Sequence, residues 1–142
     1  MVAPERQTES QWNIRSIDES PKLSLEGFVM HRILDGSGMD GVGCEYVVIE
    51  PHRVLDPHIH KKGHAIILVI EGSGFALIGE SRRPIQKHSI INIPPGTPHG
   101  LEAGDVSLVV YGFQVPGIID NNNDADIYFL QDNRKGEVVA CT

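Results

Sequence analysis

The stretch PHIHKKGHAIILVIEGSG, residues 57–74, sets three histidines within seven positions at the start of an apolar run. Imidazole is a poor core filler unless both ring nitrogens find partners. His58, His60 and His64 therefore face either water or something that takes nitrogen. In an extended chain alternate residues share a face, so His58 and His60 point the same way, about 7 Å apart along the backbone. His64 has the same parity but follows KKG, where Gly63 permits a bend. If the alternation continues, Ile66, Leu68 and Ile70 line the same side as the histidines. The run AIILVI, residues 65–70, shows no polar alternation, so both of its faces are expected to be covered. One face would line a barrel interior. The other would lie under a second sheet, an arm or another copy of the chain, and a homodimer is the economical expectation.

Outward from this stretch the chain reads as short strands. GFVMHRIL (27–34), CEYVVIE (44–50), HAIILVIEG (64–72), GFALIGE (74–80) and SLVVYGFQVPG (107–117) read as strands. RRPIQKHSIINIPPG (82–96) reads as two more, with Pro84 confining the first to a sheet edge. Gly- and Pro-rich turns separate these segments at regular spacing, and no helical period stands out. That pattern predicts an all-β sandwich or barrel. Residues 1–20 read as an N-terminal arm, 21–117 as the barrel domain, and 118–142 as a C-terminal segment packing on the barrel. Within that last segment NNNDAD (121–126) looks irregular, and IYFLQ (127–131) can dock back on the body.

Composition bounds the function. The chain of 142 residues suits one domain with a real core, and 40% of it is hydrophobic. A net charge of −7 without a basic block argues against nucleic acid and anionic membrane as partners. The polar start MVAPERQTESQ does not read as a signal peptide, and no apolar run approaches the roughly 20 residues of a membrane span. Cys44 and Cys141 make no disulfide framework, so a cytoplasmic location is the default. They are far in sequence from the histidines and are not expected to join them.

A fourth histidine stands in IPPGTPHG, where prolines and a glycine make a rigid turn that fixes the direction of His99. HIH, then a strand ending in EGSG, then PPGTPH resembles the two sequence blocks of the cupin superfamily. His58, His60 and Gly72 match the first block, and Pro94, Gly96 and His99 the second. The resemblance implies a jelly-roll barrel of two antiparallel sheets with irregular terminal arms. It also implies one divalent transition metal ion per chain, whether iron, manganese, zinc or nickel. The glutamate usual in the first block is missing, and His64 and Ala65 occupy the two spacings at which it occurs. The set His58, His60, His64 and His99 thus resembles the minority of cupins with four histidine ligands. The alternative for His64 is a place at the rim of a three-histidine site. His52 and His88 replace the glycines that usually open the blocks and are expected at exposed turns. Ala103 stands where an asparagine sometimes follows the second block.

Other candidates are weaker. His31, alone on its strand, reads as an ordinary histidine. Glu71 and Glu102 sit where strands meet turns and read as solvated charges. Gln114, polar within the last apolar strand, either reaches into the cavity to orient a substrate or faces outward. A divalent ion held by neutral imidazoles keeps its full charge, which suits an oxygen pair, and the apolar interior favours a small, largely apolar or aromatic substrate to offer it. With iron or manganese the expectation is a dioxygenase-type oxidoreductase. With zinc or nickel it is a non-redox cyclase, isomerase or lyase. A non-catalytic barrel that binds a small ligand is the third reading. No Arg or Lys stands beside a ligand on the inward parity, which counts against a phosphosugar substrate.

Overall fold

The computed structural model describes residues 12–141. Thirteen strands are described: β1 (Lys22–Leu25), β2 (Phe28–Asp35), β3 (Gly43–Ile49), β4 (Val54–Ile59), β5 (His64–Glu71), β6 (Ser73–Ile78), β7 (Ser81–Gln86), β8 (Ile90–Ile93), β9 (His99–Ala103), β10 (Leu108–Val115), β11 (Tyr128–Phe129), β12 (Arg134–Lys135) and β13 (Val138–Ala140). They form two sheets, in the orders β13-β1-β2-β3-β10-β5-β8 and β12-β11-β4-β9-β6-β7. The pairings are antiparallel throughout. Helical structure among the described residues is limited to three single turns, Ile17–Glu19, Met39–Gly41 and Gln131–Asn133. The all-β, two-sheet expectation is met. The first eleven residues of the expected N-terminal arm lie outside the described residues.

The inner faces of the sheets follow the strand period. On β3 the inward residues are Glu45, Val47 and Ile49, and on β10 they are Leu108, Val110, Gly112 and Gln114. Leu23, Ile49, Ile93, Leu108, Ile119 and Ile127 are fully buried and form the centre of the core. Pro84 lies on β7, which forms one end of its sheet, so no ladder partner asks for the missing N–H.

The parity carried from the histidines through β5 needs correction. Ala65, Ile67 and Val69 point inward, whereas Ile66 is 45% exposed and Leu68 and Ile70 are half-buried on the outer face. The reason is topological. β4 and β5 belong to different sheets, so the chain crosses between them at Lys61–Gly63 and the alternation restarts. Gly63 has no left-handed backbone there; a Cβ at this position would stand 2.8 Å from Ile118 Cγ2 and 3.1 Å from the Pro116 carbonyl. Close approach therefore demands the glycine. The outer face of β5 was also expected to be covered. In the single chain Ile66, Phe113 and Val115 leave an exposed apolar strip on it.

The C-terminal segment joins both sheets. β11 pairs with β4, setting Phe129 opposite His58, and β13 pairs with β1. NNNDAD is irregular as expected, closed by one bridge between Ile119 and Ala125.

Candidate metal centre

His58 lies on β4, His60 one residue beyond its end, and His99 opens β9 directly opposite His58. Register shifts between Leu55 and His58, where Pro57 lacks a ladder donor. Such a bulge re-aims the side chain that follows it. Gly100 accommodates it: a Cβ there would meet the Leu55 carbonyl oxygen at 2.5 Å. The three rings converge, with centroid separations of 4.4 Å (His58–His99), 4.8 Å (His60–His99) and 5.3 Å (His58–His60). One ligand atom from each lies within 4.8 Å of the others, and all three residues are buried.

Backbone carbonyls fix the tautomers. His58 Nδ1 donates to Asp56 O at 2.8 Å, His60 Nδ1 to Asp126 O at 2.7 Å, and His99 Nδ1 to Thr97 O at 2.8 Å. With Nδ1 protonated and anchored, Nε2 keeps the lone pair that a metal requires. The rings are held neutral. Burial, then repulsion from His99 and His60, pushes His58 down to about 3. Burial and His60 push His99 down to about 4, and burial lowers His60 as well. Three neutral, pre-oriented imidazoles on one cavity wall fit a first-row divalent ion.

Asp126, invisible in the sequence reading, holds this arrangement. Its carboxylate accepts the backbone N–H groups of Lys61 (2.8 Å), Lys62 (2.9 Å) and Gly63 (3.0 Å), while its own carbonyl anchors His60. Burial pushes its pKa up, but the three N–H donors outweigh that and hold it below the ordinary carboxylate range.

His64 is not brought to the cluster. It is exposed on β5, in the other sheet, and its Nε2 is 2.7 Å from Asn92 Oδ1. The inward position beside it belongs to Ala65. His64→Ala is expected to leave metal stoichiometry and affinity unchanged, as checked by elemental analysis and calorimetric titration. A severalfold loss of affinity would restore it to the ligand set.

Gln114 points inward and is 3% exposed; its Nε2 donates to Glu45 Oε1 at 2.6 Å. Glu45, 2% exposed, is the second residue missed from sequence. The signal was present in CEYVVIE, where Glu45 has the parity of Val47 and Ile49. Burial pushes its carboxyl up to about 8, against smaller opposing effects of the Gln114 hydrogen bond and Arg32. Glu71 is exposed near Lys87 as expected, whereas Glu102 is half-buried on β9 and paired with Arg82 rather than freely solvated. His52 and His88 are exposed at turns with φ of 65° and 77°, the left-handed region that explains glycine at such positions. His31 packs beside Tyr46. Both cysteines are free, and burial, with Glu45 adding to it, pushes Cys44 up to about 12, leaving it an inert thiol.

The three histidines, Glu45 and Gln114 share one cavity of about 70 Å³, walled otherwise by apolar side chains such as Met30, Leu55, Ile67 and Ile127. Among the described residues no helix is long and apolar enough to cross a membrane.

Residues 46–119 match the family described as the AraC-like ligand binding domain. Among solved structures, a double-stranded β-helix domain protein from Klebsiella pneumoniae is 20% identical with a TM-score of 0.63, covering 75% of this chain and 92% of its own. KdgF from Halomonas sp. is 21% identical with a TM-score of 0.61, covering 72% and 94%. The polyketide cyclase RemF from Streptomyces resistomycificus is 18% identical with a TM-score of 0.61, covering 73% and 79%. Such identities speak for a common fold only. No curated protein matches the sequence. With more than half of its length matched and the two-sheet barrel in place, the chain belongs to the family of AraC-like ligand binding domains, of the cupin type.

Proposed function

We propose that the protein is a metal-dependent enzyme acting on a small, largely apolar molecule that presents a pair of oxygens. The observation that carries this reading is the convergence of His58, His60 and His99, each tied through Nδ1 to a backbone carbonyl, on a mostly apolar cavity. A divalent ion bound there supplies charge that polarises the substrate oxygens, and iron or manganese adds electron exchange with dioxygen. The chain does the rest. The three rings orient the polar end of the substrate, and the apolar wall receives its body and excludes water. We place a dioxygenase-type reaction first, because an all-nitrogen donor set and a dry wall suit oxygen chemistry on a chelated enol or diol. The second reading is a non-redox cyclase, isomerase or lyase. Glu45 favours it by offering a proton-exchanging group inside the cavity, and the polyketide cyclase among the structural neighbours agrees with it. Oxygen uptake against a panel of diketones and catechols, with iron- and then zinc-loaded protein, separates the two. Iron-dependent uptake supports the first. Product formation with zinc and without uptake supports the second. Neither activity with any loaded metal returns the protein to a ligand-binding role.

We further propose a homodimer formed through the strip of Ile66, Phe113 and Val115. Sedimentation equilibrium should give twice 15.6 kDa for the wild type and one chain mass for Phe113→Glu. A monomeric wild type would contradict this.

A further inference from the structure

Two buried acceptors have no hydrogen-bond partner among the described residues, Glu45 Oε2 and Gln114 Oε1, and they belong to the same hydrogen-bonded pair. Buried polar atoms left unpaired are costly, and an orphaned acceptor calls for a donor. Both side chains line the cavity that holds the histidine cluster, yet Glu45 is not a member of that cluster. It is therefore not placed as a ligand. Its Oε1 is occupied by Gln114 Nε2, which leaves Oε2 as the reactive oxygen.

We propose that Glu45 is the proton-transferring catalytic residue of this cavity, and that the substrate is a small carbonyl compound with an adjacent hydroxyl. This deepens the function proposed above and rests on it. Gln114 plays two parts: its Nε2 donates to the carboxyl, and its Oε1 accepts a hydrogen bond from the substrate hydroxyl. In the transfer the C–H bond next to the carbonyl breaks and its electrons move to the carbonyl oxygen, giving an enolate. The proton passes to Glu45 Oε2. Return of that proton to the same carbon regenerates the substrate and Glu45. Delivery to the neighbouring carbon also requires the hydroxyl proton to pass to the enolate oxygen, which interchanges carbonyl and hydroxyl. In neither case is an oxidant or reductant consumed. The same proton removal would prepare a chelated substrate for oxygenation. Burial makes the carboxylate a stronger base than one at the surface, and the base is its ionised form, whose share grows as pH rises toward about 8. The charged or titratable groups that bear on it are Arg32 on β2, Cys44 beside it on β3, and the histidines across the cavity. The cavity of about 70 Å³ admits only a compact molecule.

The probe is acetoin, which carries a carbonyl and an adjacent hydroxyl, with a single C–H on the hydroxyl-bearing carbon (C3) next to the carbonyl. Its C3 proton is followed by NMR in deuterium oxide with wild type, Glu45→Gln and Glu45→Asp, each with and without loaded zinc. Metal content is measured on the same samples. Exchange should be about 100-fold slower in Glu45→Gln at unchanged metal content, with part of the rate recovered in Glu45→Asp. A merely structural role would not give rescue by the shorter acid. Equal rates in wild type and Glu45→Gln, including no exchange in either, overturn the proposal. A wild type that takes up no metal contradicts the metal-dependent reading instead, and the comparison of exchange rates still decides the role of Glu45.

Discussion

Replacing His99 with alanine should abolish tight metal binding, and His58→Ala should do the same. Each change removes one of three donors that lie within 4.8 Å of one another, and the described residues place no fourth candidate in that group. Loss of a residue that merely orients a ligand typically costs 10–100-fold in affinity, so loss of the ligand itself should exceed about 100-fold. Calorimetric titration with zinc, beside elemental analysis, measures this. Affinity within a few-fold of wild type in either variant would show that the metal sits elsewhere. The rings also predict how the metal-free protein responds to pH. Their folded pKa values are depressed, to about 3 for His58 and about 4 for His99. Unfolded histidines take up protons near pH 6.5. Between these limits the unfolded chain binds more protons, so the contribution of the rings is fully present above about pH 6.5 and is lost as pH falls through the window. His99→Ala should shrink that acid loss, because it removes one buried ring and relieves the repulsion on His58.

Asp126→Ala should be the most damaging change outside the histidines. The variant leaves three backbone N–H groups at Lys61, Lys62 and Gly63 without their acceptor and frees the segment whose carbonyl anchors His60. Hydrogen bonds to a charged group contribute about 1.5–3 kcal/mol each, and water will replace part of that at this half-buried site. A net loss of about 2–3 kcal/mol is expected, or roughly 4–12 °C in Tm. Metal affinity should fall about 10-fold, as for other residues that orient a ligand. Thermal denaturation and zinc titration of the same preparation check both. An unchanged Tm would mean that the crossing between the sheets holds without its clamp. Because the Asp126 pKa is depressed, its contribution is present above the ordinary carboxylate range and disappears as pH drops through the lowered value. Asp126→Asn should retain part of the stability and lose most of that acid dependence.

The strands and the three-histidine face were legible because they depend on local rules. Alternation put His58 and His60 on one side, and the proline-rich turn before His99 marked a rigid presentation at a strand end. What the sequence hid is non-local. His64 shares parity with His60 in the chain, but the passage from β4 to β5 changes sheets, so parity no longer predicts direction. That single crossing turned Ile66, Leu68 and Ile70 away from the cavity and put Ala65, Ile67 and Val69 inside. Asp126 acts on the Lys61–Gly63 turn across more than 60 residues, and nothing in NNNDAD announces it. Glu45 is a different case. Its inward parity could be read from Val47 and Ile49, but a glutamate in a strand is ordinarily assigned to the solvent side. Its burial became plain only when β10 placed Gln114 against it.

The claim on which the account turns is that His58, His60 and His99 hold a metal. The direct measurement is metal per chain in untagged protein prepared without chelator, repeated after stripping and reloading with iron, manganese, zinc or nickel. About one first-row divalent ion per chain, lost in His58→Ala and kept in His64→Ala, is the expected result. Protein that holds no ion even after reloading, or that holds as much after His58→Ala, would contradict the metal site and leave the cavity as a ligand-binding pocket.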